Sequence, residues 1–136
     1  MSGMNVFTAL QVSATGMAAE RTRVNLASSN LANAETTKTA EGGPYRRLDP
    51  VFEAQTIDGD AQGVRVAEVH RDESEGRPVY MPGHPDADAN GFVTLPNVNP
   101  VDEVVNLLSA QRGYEANASA VDTVKVMAQR ALDIMR

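Results

Sequence analysis

The residues best suited to chemistry cluster at 84–91. Asp86-Ala-Asp88-Ala-Asn90-Gly91 sets side-chain oxygens at alternate positions and then a glycine, which matches the first half of a helix–loop–helix calcium site. The second half fails. The twelfth position, where a bidentate glutamate is required, is Asn97, and Pro82 and Pro85 leave no entering helix. Asp and Asn also make turns by accepting hydrogen bonds from the backbone two residues on. A turn leading into a strand therefore accounts for the same letters without a metal, and a calcium-binding module at Asp86–Gly91 stands only as an alternative. His70 and His84 are the two histidines. His84 has Asp86 and Asp88 nearby, but neither histidine has the i, i+4 partner of a helical zinc site. Both read as structural or surface residues.

Other chemistries are more weakly supported still. The chain has no cysteine, so disulfides, thiolate ligands and a cysteine nucleophile are excluded, while either redox compartment remains compatible. No Gly-x-Ser-x-Gly elbow exists, and no pair of carboxylates lies in an apolar run suited to acid–base work. Gly42-Gly43-Pro44 precedes no helix and cannot cradle a phosphate; Arg46-Arg47 is too short for a nucleic-acid footprint. A net charge of −6 disfavours nucleic acid and anionic lipid as main partners. No stretch approaches the roughly 20 apolar residues of a membrane span, and Met1–Gln11 lacks the basic and apolar regions of a signal peptide. The expectation is a soluble chain, not an enzyme, with no catalytic, cofactor-binding or metal site, no small-molecule substrate, no membrane insertion and no cleaved leader.

The elements that must carry whatever the chain does are marked by proline and charge. All seven prolines lie between Pro44 and Pro100, which divides the chain into helix, irregular middle and helix. Acids outnumber bases twelve to six over residues 35–100, so the whole net charge resides there and it reads as the solvated part. Over Pro100–Arg136, Leu107, Ala110, Tyr114, Asn117, Val121, Val124, Ala128, Ala131 and Met135 recur at three- and four-residue spacing. That is a coiled-coil stripe broken only by Asn117. Asn99 as cap, Pro100 at the first helical position, and Asp102 with Glu103 in the first turn mark its start. A helix of this length spans roughly 50 Å, more than a small domain needs.

A second, weaker stripe runs from about Met4 to Asn33 through Phe7, Leu10, Met17, Val24 and Leu31, interrupted by Arg21 and Ser28. Gln11, Ser13, Asn25, Ser29, Asn30 and Asn33 on other faces are either solvated or hydrogen-bonded to neighbouring helices. In the middle, Glu35–Pro44 reads as a loop. Tyr45–Gln55 and Gly63–His70 alternate in part and read as short strands, joined by a turn at Asp58-Gly59. Pro78–Asn99 should be extended, with a strand at Phe92–Leu95. Only about ten large side chains line the two stripes, at roughly 1.5–3 kcal/mol each for full burial. Backbone ordering costs about 1–2 kcal/mol per residue, so the terminal helices are expected to be weakly ordered alone and fixed by association.

Several words in the chain carry a resemblance. Ala27-Ser-Ser-Asn-Leu-Ala-Asn-Ala-Glu-Thr-Thr37, Glu41-Gly-Gly-Pro-Tyr-Arg-Arg47, Tyr80-Met-Pro-Gly-His-Pro-Asp-Ala-Asp-Ala-Asn-Gly-Phe-Val93, Pro96-Asn-Val-Asn99 and Ala110-Gln-Arg-Gly-Tyr-Glu-Ala-Asn117 resemble the flagellar axial rod and hook proteins of bacteria. Asn30, Leu31, Ala32 and Asn33 match the signature shared by that family. Gly83, His84, Pro85, Asp86, Asp88 and Gly91 resemble the rod-specific loop of its proximal-rod members. Gly113 stands where a better helix former is expected.

The resemblance implies a mainly α protein. Residues 1–34 and 100–136 form a discontinuous axial core of two long antiparallel, coiled-coil-like helices, and 35–99 form a loop-rich middle with a small β-hairpin. It implies a structural subunit that stacks helically with itself and other rod subunits into the proximal rod across the periplasm. Export would run through the flagellar type III apparatus. Phe7, Leu10, Met17, Val24 and Leu31 would meet Leu107, Tyr114, Asn117, Val121, Val124 and Met135, within a subunit or between subunits. A distal-rod or hook-type subunit is the alternative within the family; the short middle argues against it.

Overall fold

The computed structural model describes residues 5–136. The chain runs α1 (Val6–Ala32), β1 (Leu48–Asp58), β2 (Ala61–Arg71), β3 (Arg77–Tyr80), β4 (Phe92–Leu95) and α2 (Pro100–Ile134). Met4, where the sequence spacing begins the first helix, lies outside the described residues. Local chemistry sets the helix ends. The Asn5 carboxamide accepts from Thr8 N at 2.8 Å, and Asn99 accepts from Val101 N at 3.0 Å with Pro100 following it. Each side chain satisfies a donor that the first turn leaves without a helical partner. At the other end of α1, Asn33 takes the cap position and returns its Nδ2 to Ser29 O at 2.9 Å.

α1 lies between two layers, with α2 on one side and the β1–β2 hairpin on the other. The two 11-residue strands pair antiparallel and meet at Asp58↔Ala61. Gly59, the first of the two loop residues, has φ +56°, as a tight hairpin turn with glycine at that place demands. A register shift follows Val51. Threonines on α1 hold the hairpin: Thr15 Oγ1 accepts from Val64 N at 3.1 Å, and Thr8 Oγ1 donates to Asp58 Oδ2 at 3.4 Å. β3 and β4 form a separate antiparallel pair, Arg77↔Leu95 to Tyr80↔Phe92. Val93, Leu95 and Val98 are buried there.

The two helices run antiparallel in one register. Asn117 lies over Gly16, Gly113 lies under Glu20, and Asn30 meets Glu103; the residue numbers of each facing pair add to the same value. The helical core is alanine: Ala19, Ala27 and Ala110 are buried. Such small side chains allow close approach but offer little apolar area.

Two features differ from the sequence reading. The helices take 27 and 35 residues, but the strands take 11, 11, 4 and 4. Helix remains the larger share, with the strands forming two antiparallel pairs where the sequence reading has one small hairpin. The strands were hard to read because most of their residues are exposed on both faces, so no alternation was required of them. β3 carries Pro78 in a strand with one partner only, a position that tolerates a missing N–H. Secondly, the inward stripe of α2 passes through Gly113 rather than Tyr114, which is 38% exposed. Between Ala110 and Asn117 either residue fits the period, and glycine leaves open the space that the Glu20 carboxylate takes.

Candidate functional site

The α1 C-terminal turn, the first turn of α2 and the chain entering β1 converge on two buried polar side chains, Asn30 and Glu103, each 1% exposed. Asn30 uses its full bonding capacity. Its Oδ1 accepts from Tyr45 Oη and Leu48 N, both at 2.9 Å, and its Nδ2 donates to Leu48 O at 2.8 Å and Glu103 Oε2 at 3.3 Å. An asparagine with two lone pairs and two donors can do no more. It pairs with Leu48 as a neighbouring strand would, so β1 is stitched to the helix end. Glu103 Oε1 accepts from Arg47 Nε at 2.5 Å. The Arg47 guanidinium also meets the Asp49 carboxylate at 3.1 Å. Burial acts to lower the guanidinium's pKa, but the bonds to Glu103 and Asp49 outweigh it, and the group is held above its ordinary value.

The hub reaches further through Arg47. Its backbone N–H donates to Asn97 Oδ1 at 2.8 Å, and Asn97 Nδ2 donates to Asp72 O at 3.0 Å and Ser74 O at 3.1 Å. One side chain thus ties the stretch before β1, the turn after β2 and the approach to α2. The hydroxyl and N–H of Ser74 hold the Asp72 carboxyl below its usual range. On the surface, Arg71 does the same for Glu41, through a 2.6 Å hydrogen bond and then through charge. A groove of about 220 Å³ beside the hub is lined by Arg23, Asn30, Phe52, Glu103 and Asn106 among others. Of its polar groups, Arg23, Asn30 and Glu103 already bond to the protein.

The residues singled out from sequence divide among three places. Asn30 belongs to the hub, Leu31 is half-buried, Ala32 is exposed, and Asn33 caps α1. Leu10, Met17, Val24, Leu107, Asn117, Val121 and Val124 are half-buried. Phe7 and Met135 are each 78% exposed, and with Tyr114 they stand outside the helix pair. The 83–91 loop is a chain of turns. Asp88 Oδ1 accepts from Asn90 N and Phe92 N, both at 2.9 Å, and Gly91 turns at φ +82°. His84 Nδ1 accepts from Asp86 N at 3.0 Å, while Asp86 Oδ2 accepts from Thr37 Oγ1 at 2.7 Å and anchors the loop to the α1 exit. Gly83 and Pro85 are exposed, and His70 lies exposed on β2. Among the described residues no group of three or more histidines and carboxylates is placed to hold a metal ion.

Sequence reasoning did not assemble the hub. By sequence alone Glu103 reads as a helix-dipole residue and Arg47 as half of a short basic pair. The signal available was Asn30, a buried-face polar residue in a helix, whose partners are 15 to 73 residues away.

What the arrangement does is tie the end of α1 and the start of α2 to the strand region while leaving helix surface exposed. Two family models match the segments it joins: "Flagella basal body rod protein" over residues 10–38 and "Flagellar basal body rod FlgEFG protein C-terminal" over residues 89–134. The chain is of the class of structural rod subunits of the flagellar basal body. Relatives extend the match to full length. The flagellar basal-body rod protein FlgC of Salmonella typhimurium is 42% identical over 135 residues, covering 98% of each chain. That of Aquifex aeolicus is 42% identical over 132 residues, 96% of this chain and 97% of the relative. That of Borreliella burgdorferi is 38% identical over 151 aligned positions, 98% of this chain and 99% of the relative. The chain belongs to the FlgC family of flagellar basal-body rod proteins. No helix among the described residues is long and apolar enough to cross a membrane.

Proposed function

We propose that the chain builds the proximal part of the rod by helical stacking with copies of itself and with other rod subunits, across the periplasm. The observation that carries this reading is the outer face of α2. Val101, Val104, Val105 and Leu108 are 41–70% exposed at three- and four-residue spacing, and Met127, Leu132, Ile134 and Met135 are 60–85% exposed near its end. Apolar residues repeated along a helix face mark a surface meant to be covered, and a head-to-tail geometry that does not close gives a filament. Phe7 and Tyr114 join this outward set.

In this reading residues 1–34 and 100–136 form the axial core, and 35–99 carry contacts to adjacent subunits. The chain works as a drive-shaft component and not as an enzyme. It is exported through the flagellar type III apparatus, and its alanine-lined helices order fully only among neighbours. Reconstruction of intact basal bodies built with this chain tests the proposal. Burial of Val101, Val105 and Leu108 against neighbouring subunits supports it; a solvent-facing stripe at those residues overturns it.

A further inference from the structure

Two residues of α2 resist explanation by an apolar seam: Asn117 is polar, and Gly113 is a poor helix former. The geometry at both places is reciprocal. A Cβ on Gly16 would lie 2.7 Å from Asn117 Oδ1 and 2.9 Å from its Cγ, and a Cβ on Gly113 would lie 2.7 Å from Glu20 Cδ. Each helix therefore presents one notch and one polar knob, four residues apart, and each knob fills the notch of the other helix. The knobs are held in place. Asn117 Nδ2 donates to Gly113 O at 2.9 Å, and Glu20 Oε2 accepts from Arg23 Nη1 at 2.9 Å. Because Asn117 bonds to the glycine that receives Glu20, the two contacts form one unit.

We infer that Gly16, Glu20, Gly113 and Asn117 are the residues that determine the register of the helix pair. Apart from the Asn30–Glu103 contact at one end, the fully buried members of the seam are alanines, small side chains that tolerate sliding. A slip of one turn sets Asn117 opposite Glu20 or Val12, where a side chain occupies the space, and displaces α2 by roughly 5 Å. It also separates Asn30 from Glu103. A polar residue in an otherwise apolar seam sets register in this way in paired helices generally. Only α1 carries the notch that seats Asn117 while its own knob seats in α2.

The test exchanges knob and notch in the full chain. Gly16→Asn sets two knobs against each other, Asn117→Gly leaves two notches, and the double variant restores one of each with the helices' roles reversed. The thermal midpoint by far-ultraviolet circular dichroism and recovery in basal bodies of cells lacking the native copy are the two readouts. Gly16→Asn is expected to lower the midpoint by roughly 5–15 °C and to lose incorporation, and the double variant to regain at least half of the lost midpoint. A double variant no better than the sum of the singles overturns register control. So does a Gly16→Asn chain indistinguishable from wild type in both readouts.

Discussion

Glu103, 1% exposed, accepts a 2.5 Å hydrogen bond from Arg47 across 56 residues of sequence. A carboxylate sealed this thoroughly needs partners for both oxygens, and it has them, one in Arg47 and one in Asn30. Removing one partner strands the other. Glu103→Ala is expected to cost about 3 kcal/mol in urea unfolding. Arg47→Met with Glu103→Leu should cost less than the two single changes added together. Strict additivity would show that the pair is not coupled.

Asn30→Asp tests the neighbouring contact. The new carboxylate cannot donate to Leu48 O, and it faces Glu103. Its pKa is expected to rise in the folded state, so the deficit is full above the folded value and shrinks as pH falls through it. Melting midpoints from pH 7 to pH 4 should therefore converge on wild type at the acid end. A gap that widens on acidification contradicts this geometry.

The Arg71–Glu41 pair gives a pH prediction at the surface. Because Glu41's carboxyl is depressed, its contribution is present above the ordinary carboxylate range and lost as pH falls through the folded value. Arg71→Gln should return the Glu41 titration, followed by carboxyl carbon NMR, toward 4.5. Both groups are exposed, so the midpoint of melting should hardly move.

Inner and outer faces of α2 should fail differently. Val121→Asp places a charge in the half-buried seam and should unfold the helix pair, with loss of assembly and motility. Leu108→Glu lies on the outer face at 50% exposure; it should leave circular dichroism unchanged yet prevent incorporation into basal bodies. Incorporation of either at wild-type level refutes the corresponding assignment.

The 83–91 loop should respond to its turns rather than to calcium. Asp88→Ala frees the Asn90 and Phe92 N–H groups and should cost about 1–2 kcal/mol. Millimolar calcium should leave the wild-type midpoint in place; a calcium-dependent rise of several degrees would revive the metal reading.

What could be read from the letters was whatever is decided within a few residues. Asn99-Pro100 announced α2, Asp58-Gly59 the hairpin turn, and Phe92–Leu95 a strand. Each is a local backbone requirement that few residue types meet. The choice of Gly113 over Tyr114 was not legible, because it is made by Glu20 on another helix. The hub was not legible either: Asn30, Tyr45, Arg47 and Glu103 mean nothing as a set until the antiparallel register brings them together. β1 and β2 read from sequence as strands at Tyr45–Gln55 and Gly63–His70, offset at their ends by one to three residues, since strands exposed on both faces leave little alternating pattern.

α2 is the longer helix by two turns, and the shared register sets Val6, the first helical residue of α1, beside residue 127. One end of the pair is sealed by the Asn30–Glu103 hub, while at the other the described part of α1 stops short and α2 carries on. The subunit is thus an arrow rather than a bar. Any column made by repeating it inherits a front and a back, and growth at one tip differs chemically from growth at the other.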